Sequence, residues 1–317
     1  MSDTGGIDDK GFNENAYAGM QAAEEELGIG EIKFLESTSD ADYERNIQTF
    51  IDEDCDIIVT VGFLLGDATK AAAEANPDQP FAIVDFTYDP AIPNVAGIIF
   101  QIDQATMLGG YLAAGMSETG TVATFGGINI PPVTSFMDGF AAGINYYNQE
   151  KGTDVQLLGW DPATQEGSFV GDFSDTAAGQ QLAEGFIQEG ADVIMAVAGP
   201  VGLGAAAAVQ DADDVMFIGV DVDQAISAPE FEDVMLSSIL KRIDNGVEGA
   251  IGSVLDGTFE GGVQVNTLEN EGVGLAPYHE FEDDVPEELT AEIDALREAI
   301  ISGDVVVSEW YAGAPAE

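Results

Sequence analysis

The chain has 317 residues, 45% of them hydrophobic, which exceeds one typical domain and is enough to build real cores. It carries 59 Asp and Glu residues against 8 Lys and Arg, a formal net charge of −51. Such a charge repels DNA, RNA and anionic lipid surfaces, which excludes nucleic acid as a partner. No run of 18 apolar residues occurs, so we expect no membrane-spanning helix.

The acidic residues are spread along the whole chain. Dispersed acid with few lysines is typical of halophiles, in which high salt screens the self-repulsion of the surface. The competing interpretation, an acidic site for a cationic substrate, predicts clustering, which the sequence lacks. The charge therefore indicates a habitat and not a function.

Short apolar segments alternate with helical patterns along the chain. Strands are predicted at residues 32–35, 56–61, 81–85, 95–100, 121–125, 155–160, 193–197, 215–220 and 237–240. Helices are predicted at residues 15–27, 41–52, 104–116, 136–148, 175–189 and 242–255. This alternation, with nearly continuous apolar strands, predicts an α/β fold with parallel sheets covered on both faces.

An internal repetition predicts two similar halves. In the first half one strand ends at Gly62 and the next at Asp85; in the second half the matching residues are Gly199 and Asp221. The carboxyl edge of an open parallel sheet is where such folds bind ligands. Two such edges facing each other would form a cleft.

Two predicted loops carry an aromatic residue next to hydrogen-bonding groups. Phe12 precedes a helix, where it either staples the helix N-terminus or offers its face to a ring, with Asn13 as donor and acceptor. Phe173 has the same character, and Asp175 is predicted to cap the next helix. Two loop phenylalanines, one per half, are what sandwiching a flat ring requires.

The rare lysine, cysteine and histidine residues do not indicate a catalytic or metal site. Lys241 and Lys10 are among the few bases retained, which suggests specific partners, although lysines that snorkel along the surface are the alternative. Cys55, the only cysteine, begins an apolar run and is predicted to be a small buried residue. His279, the only histidine, is predicted to lie at the surface. No phosphate-loop, dinucleotide, zinc-protease or serine-hydrolase motif occurs, and we expect no metal and no cofactor.

Eight segments, in their order along the chain, resemble the basic membrane protein (PnrA-like) family of transporter-associated lipoproteins. They are residues 9–13, 61–63, 81–85, 126–127, 199–204, 218–224, 240–242 and 272–276. The resemblance implies a type I periplasmic-binding-protein fold: two Rossmann-like lobes with parallel sheets, joined by a three-stranded hinge. The lobes would be residues 1–116 with about 243–268, and residues 117–242 with about 269–317, with the ligand cleft between them.

The resemblance also implies a ligand and no catalysis. The ligand would be a purine nucleoside (guanosine, adenosine or inosine), delivered to the membrane subunits of an ABC-type permease. The residues assigned to it are Asp9, Phe12, Asn13, Gly62, Asp85, Phe173, Gly199, Asp221 and Lys241. In this assignment the two phenylalanines stack on the base, Asn13 and Asp85 contact its edges, and Asp9, Asp221, Lys241 and the Gly199 backbone hold the ribose.

Family members are lipoproteins anchored outside the cytoplasm, and a monomer is expected. They carry a strand and a lipid-modified cysteine upstream of the first motif, whereas this sequence starts at that motif and we expect no signal peptide within it. Either the chain is a shortened form, or another segment takes the place of that strand in the sheet.

Three alternatives stay open at this point. One is a sugar receptor of the same fold, and another is a sensor that docks on a membrane receptor. The third is an enzyme such as a nucleoside hydrolase, in which Asp9, Asp85 and Asp221 would hold calcium beside an activated water.

Overall fold

The structure is a computed structural model that describes residues 1–313. The α-helices are α1 (Phe12–Ala22), α2 (Tyr43–Asp52), α3 (Gly66–Ala75), α4 (Ile102–Met116), α5 (Pro131–Lys151), α6 (Thr176–Gln188), α7 (Pro200–Gln210), α8 (Gln224–Ser227), α9 (Ile243–Leu255) and α10 (Glu287–Ser302). The strands are β1 (Ile58–Val61), β2 (Phe81–Val84), β3 (Val95–Phe100), β4 (Thr121–Gly126), β5 (Gln156–Leu158), β6 (Trp160–Asp161), β7 (Glu166–Gly167), β8 (Val193–Val197), β9 (Met216–Asp221), β10 (Met235–Lys241), β11 (Gly262–Asn266) and β12 (Val273–Leu275).

The chain divides into two compact units. The first consists of Met1–Phe100 and Arg242–Asn266, and the second of Gln101–Lys241 and the described residues from 267 to 313. The chain therefore passes from one unit to the other at three points. The first of these points differs from the predicted boundary after residue 116, because α4 belongs to the second unit.

Backbone contact between α4 and α5 explains this difference. A Cβ atom added at Gly110 would lie 2.1 Å from the Phe140 carbonyl oxygen, and one added at Gly143 would lie 2.1 Å from the Met107 carbonyl oxygen. Only glycine fits at such distances, so the two helices pack at backbone separation. This contact holds α4 in the second unit.

The sheet of the first unit has the order β1-β2-β3-β11, and all its strands are parallel. Alternate residues of β2 face opposite cores: Ala82 and Val84 pack with α1 and α9, whereas Phe81 and Ile83 pack with α2 and α3. Since both faces are covered, the strands are apolar along their whole length, as the sequence predicts.

The sheet of the second unit has the order β12-β10-β9-β8-β4-β5. Its strands are parallel except β12, which runs antiparallel to β10 and was not predicted. One core cluster forms around the buried rings of Phe125 and Phe217. The prediction of an α/β fold with parallel sheets is confirmed.

Residues 1–3 lie beside β1 in the first unit. Ser2 forms a parallel bridge with Val61, and the Met1 amino nitrogen donates to the Val59 carbonyl oxygen at 2.7 Å. On the other side, the Ser2 N–H donates to the Leu35 carbonyl oxygen at 3.1 Å. The predicted strand at 32–35 is wrong, because this extended segment meets its neighbour at only one point.

Other boundaries follow the predictions closely. The bounds of β3 and β8 are as predicted, whereas the predicted strand at 155–160 is divided between β5 and β6 at Gly159. Gly159 has φ 84°, and an added Cβ would lie 2.0 Å from the Thr124 carbonyl oxygen. None of the helices within residues 1–313 is long and apolar enough to cross a lipid bilayer.

Candidate functional site

In the first unit, two candidate residues follow directly on parallel strands. Gly62 comes after β1 with φ 124°, and a Cβ added there would lie 3.0 Å from the Asp3 side chain. Asp85 comes after β2 with φ 65°, in the left-handed region, and its N–H donates to the Ile98 carbonyl oxygen at 2.9 Å. Both residues lie at the carboxyl edge of the sheet, as the sequence predicts.

Asp9 organises the beginning of α1. Its side chain is buried, and its two oxygens accept hydrogen bonds from the N–H groups of Gly11 (3.0 Å), Asn13 (2.8 Å) and Glu14 (3.0 Å). Burial raises the pKa of Asp9 above its usual value, although these hydrogen bonds act in the opposite direction. The carboxylate satisfies helix N–H groups that would otherwise lack acceptors. Its contact with a ligand stays a prediction.

Asn13 is buried with an unmet acceptor. Its Nδ2 atom makes only a long contact of 3.5 Å with the Thr4 carbonyl oxygen. Within residues 1–313, no group donates a hydrogen bond to its buried Oδ1 atom. An acceptor left in this state destabilises a protein by about 1–3 kcal/mol, which makes it a feature that needs an explanation.

Phe12 is the first residue of α1 and is partly buried. It packs against the core cluster that contains Val61, Val84 and Val247. The ring therefore has a structural role at the start of the helix, close to the stapling role considered for it. Its predicted contact with a ligand is compatible with its remaining exposure.

In the second unit, Phe173 lies on a loop that local hydrogen bonds hold in place. The Asp172 carboxylate accepts from the N–H groups of Ser174 (2.6 Å) and Asp175 (2.8 Å), which hold its pKa below the usual value. Asp175 caps α6 by accepting from the Ala178 N–H at 3.0 Å, which confirms its predicted role. The Phe173 ring packs on Gly127, where an added Cβ would lie 2.4 Å from two ring carbons.

The strand ends of the second unit repeat those of the first. Gly199 precedes α7 with φ 53° and ψ −136°, a conformation open to glycine. Asp221 ends β9 with φ 70°, close to the 65° of Asp85, and is buried. The predicted internal repetition therefore extends to the backbone conformation of the two aspartates.

Lys241 ends β10 and is only 2% exposed. Its Nζ atom lies 5.6 Å from the centre of the Phe136 ring, within the range of a cation–π interaction. Since a buried lysine needs compensating partners, its retention in so acidic a chain has a physical reason. The contact with Phe136 was not predicted, because an apolar helical pattern does not distinguish a ring that covers a cation from one that only packs in the core.

His279 is partly exposed and lies beside an aspartate. Its Nε2 atom lies 2.7 Å from Asp223 Oδ2, and the His279 side chain is 23% exposed. In the described part of the chain, Asp223 Oδ1 is buried without a hydrogen-bond partner. Asp223 lies two residues after Asp221, and it is a polar group of this edge that sequence reasoning missed.

No group of three acidic, histidine or cysteine side chains that could hold a metal ion occurs within residues 1–313. Each unit thus has a glycine and an aspartate at the ends of its strands, and a partly buried phenylalanine ring elsewhere in the same unit. This arrangement can bind a small polar ligand through hydrogen bonds and ring contacts.

Residues 1–310 match the family model described as ABC transporter substrate-binding protein PnrA-like. The chain belongs to this family. Its PnrA-like relatives include basic membrane protein A of Borreliella burgdorferi, 33% identical over 96% of this chain and 85% of that protein. A CD4+ T-cell-stimulating antigen of Listeria monocytogenes is 32% identical over 98% and 87%. An uncharacterized lipoprotein of Pyrococcus abyssi is 33% identical over 86% and 67%.

Solved structures support the same family and fold. An ABC transporter solute-binding protein from Aeropyrum pernix has a TM-score of 0.87 and 28% identity, covering 96% of this chain and 91% of that one. A second solute-binding protein, from Conexibacter woesei, has a TM-score of 0.72 at 24% identity, over 96% of both chains, and shows the fold alone. Membership of the PnrA-like family implies a small-molecule ligand and permease subunits as partners.

Proposed function

We propose that this protein captures a purine nucleoside and delivers it to an ABC-type permease. In this proposal Phe12 and Phe173 each offer a ring face to the base of the nucleoside. Both rings are partly exposed, and a phenylalanine face binds flat rings well. The proposal includes no catalytic step.

The observation that carries the choice of a base is the buried Oδ1 atom of Asn13. This acceptor lacks a donor within the described residues, and a ring N–H or an exocyclic amino group would supply one. Asp85, at the same sheet edge, would accept a second such hydrogen bond. A free sugar also offers hydroxyl donors, but it has no flat ring for the two phenylalanines.

The ribose is assigned to the second unit together with Asp9. We propose that Asp221 and Lys241 form an ion pair that the sugar hydroxyls align, with the Gly199 N–H as a further donor. Both side chains are buried, so water would compete little for the hydrogen bonds that they form with the ribose hydroxyls. Loss of the ribose should therefore weaken binding strongly.

The proposed function also includes a cellular location and a saline source for the protein. We propose that the protein acts outside the cytoplasm as a membrane-anchored lipoprotein, since one relative is named a lipoprotein and others basic membrane proteins. We also propose a halophilic source, because 59 acidic residues against 8 basic ones need salt to screen their repulsion. Binding should accordingly be measured in molar KCl.

Calorimetric titration with guanosine, adenosine, inosine, cytidine and ribose tests the proposal. We expect saturable binding of at least one purine nucleoside, with no product formed. Phe12→Ala and Phe173→Ala should each weaken it about 10- to 100-fold, because stacking on an aromatic residue contributes about 1–3 kcal/mol per base.

Phe34→Ala is the matched control. Phe34 is also partly buried but packs edge-on against Tyr17, with ring centres 5.5 Å apart, so this variant should keep full affinity. Saturation by ribose alone would instead indicate a sugar receptor. Release of free base from the nucleoside would indicate a hydrolase.

A further inference from the structure

The chain leaves β9 through a short turn that packs back onto the sheet of the second unit. Asp221 ends β9 in the left-handed conformation, and Gln224 begins α8 three residues later. The Gln224 side chain lies over Gly219, where an added Cβ would lie 2.6 Å from the Gln224 Oε1 atom. The Gln224 N–H donates to Ser238 Oγ of β10 at 3.0 Å. The turn is therefore fixed to two neighbouring strands of the sheet.

Asp223 occupies the N-cap position of α8, but its side chain does not cap that helix. An aspartate at such a position usually accepts a hydrogen bond from an N–H group two or three residues later. Within residues 1–313 the Asp223 side chain accepts no such bond, and the Ile226 and Ser227 N–H groups donate to its backbone carbonyl oxygen instead, at 3.0 and 3.1 Å. The carboxylate is turned toward His279, whose Nε2 atom lies 2.7 Å from Oδ2. Since the local sequence favours a cap, the bond to His279 sets the direction of this carboxylate.

His279 reaches Asp223 from a segment that the same strand holds. The Ala276 N–H donates to the Ser238 carbonyl oxygen at 2.9 Å, and Ser237 Oγ donates to the Ala276 carbonyl oxygen at 2.8 Å. His279 follows three residues later with φ 46°, in the left-handed region, and begins a 3-10 helix. Strand β10 thus anchors both the turn that carries Asp223 and the segment that carries His279.

The hydrogen bond between His279 and Asp223 is partly protected from water. The two side chains are 23% and 19% exposed, so water competes with the bond less than it would at an open surface. A carboxylate only accepts, so the His279 Nε2–H group is the donor. In the described part of the chain the second oxygen, Oδ1, is buried without a partner, so the bond to His279 compensates the burial of this carboxylate. Without the imidazole, the turn would have to move to return the carboxylate to water or to the N–H groups of α8.

We propose that Asp223 and His279 are positioning residues for Asp221. Their hydrogen bond holds the turn that follows β9, and so keeps Asp221 in the left-handed conformation from which its carboxylate would meet the ribose. This inference rests on the proposed function, in which Asp221 binds the sugar. Because a residue with φ 70° is maintained only by its surroundings, Asp221 depends on this support more than a residue with an ordinary strand conformation would.

Substitution of His279 tests this role through the affinity for the nucleoside. His279→Ala should weaken the binding of the purine nucleoside about tenfold, as measured by calorimetry in molar KCl. His279→Gln, whose amide N–H group can reach the same oxygen, should keep most of the wild-type affinity. Tyr311→Phe is the matched control, because it removes a hydrogen bond of 2.8 Å to another carboxylate of the same unit, that of Asp103, and should leave the affinity unchanged.

Coupling to Asp221 separates positioning from a general loss of structure. In an Asp221→Asn background, His279→Ala should weaken binding by no more than about twofold further, because the carboxylate that it positions is then absent. Additive losses from the two substitutions would overturn the proposal. An unchanged affinity of the folded His279→Ala protein would overturn it as well.

A measurement without ligand keeps this test distinct from that of the proposed function. The Ile226 and Ser227 amide hydrogens bond to the Asp223 carbonyl oxygen. They should exchange with solvent several-fold faster in His279→Ala than in the wild type or in Tyr311→Phe. Binding of no nucleoside by the wild type would overturn the proposed function. Nucleoside binding with equal exchange rates in the wild type and His279→Ala would overturn only the role of His279.

Discussion

The two sheet edges share the left-handed backbone of their aspartates, but polar groups in the two units are held by different means. In the first unit the buried carboxylate of Asp9 accepts hydrogen bonds from three N–H groups at the start of α1. In the second unit the half-buried Asp172 and the exposed Asp175 hold a loop in place, and the Phe173 ring of this loop packs on Gly127. A candidate site can thus be preorganised by one buried charge or by several hydrogen bonds within a loop. These two kinds of preorganisation should respond differently to mutation.

The aspartates that follow the strands are the common element. Asp85 and Asp221 both have left-handed φ values, which side chains rarely adopt. Residues held in such conformations cluster at ligand sites, since the surrounding structure must enforce them. The two strand ends therefore match in backbone conformation as well as in residue type.

Removal of the two capping carboxylates should give the largest contrast. Asp9→Ala leaves buried helix N–H groups without acceptors and should lower the free energy of unfolding by about 3 kcal/mol. Asp175→Ala removes one exposed capping bond and should lower it by about 1 kcal/mol. Urea unfolding in molar KCl measures both. Equal losses would show that burial of Asp9 adds nothing to its capping role.

Two buried asparagines allow a second contrast. Asn46 donates to the Glu36 carbonyl oxygen at 3.1 Å and to Ser37 Oγ at 3.2 Å, so Asn46→Leu should destabilise the protein by about 2 kcal/mol. Asn13→Leu removes a buried acceptor that has no donor within the described residues, so it should not destabilise the protein and should raise the free energy of unfolding by about 1–3 kcal/mol.

The affinities should show the opposite order. Asn13→Leu should weaken nucleoside binding about tenfold, whereas Asn46→Leu should leave it unchanged. Calorimetry on both folded variants decides this. An Asn13→Leu protein with unchanged affinity would remove the main support for the base contact.

The smallest expected effect is a pH dependence of opposite sign for two carboxylates. Burial raises the pKa of Asp9 above 3.8, so its contribution favours folding below that value and is lost as pH rises through the folded pKa. Hydrogen bonds from Ser174 and Asp175 lower the pKa of Asp172, so its contribution is present above 3.8 and lost as pH falls through the folded pKa.

Thermal unfolding from pH 7 to about pH 4 tests the first sign. The stability of the wild type relative to Asp9→Asn should rise as pH falls. Relative to Asp172→Asn it should stay constant in this range and fall only at lower pH. A wild type that loses stability relative to Asp9→Asn on acidification would contradict the burial argument.

Much of the fold could be predicted, because covered parallel strands are apolar throughout. The bounds of β3 and β8 follow from this signal alone. The strand expected at 32–35 has the right composition, but pairing depends on a neighbour that composition does not reveal. Helix α10 was not predicted, although its sequence carries a helical signal. The apolar residues that recur at helical spacing, and that the structure buries, are Leu289, Ile293, Leu296 and Ile300.

The residue types of the candidate site could be predicted, but their backbone conformations, hydrogen bonds and burial could not. Glycine and aspartate at strand ends indicated the two edges. The left-handed φ of Asp85 and Asp221 depends on tertiary packing and leaves no mark in the sequence. The use of Asp9 by its own helix and the burial of Lys241 against Phe136 likewise depend on the folded chain.

The glycine contacts between α4 and α5 have a consequence for local opening. Where Gly110 and Gly143 bring the two backbones together, neither helix can move away without exposing the other. Amide hydrogens of α4 and α5 should therefore exchange with solvent in one cooperative step and among the slowest of the second unit. The pair would be the last part of that unit to lose its structure.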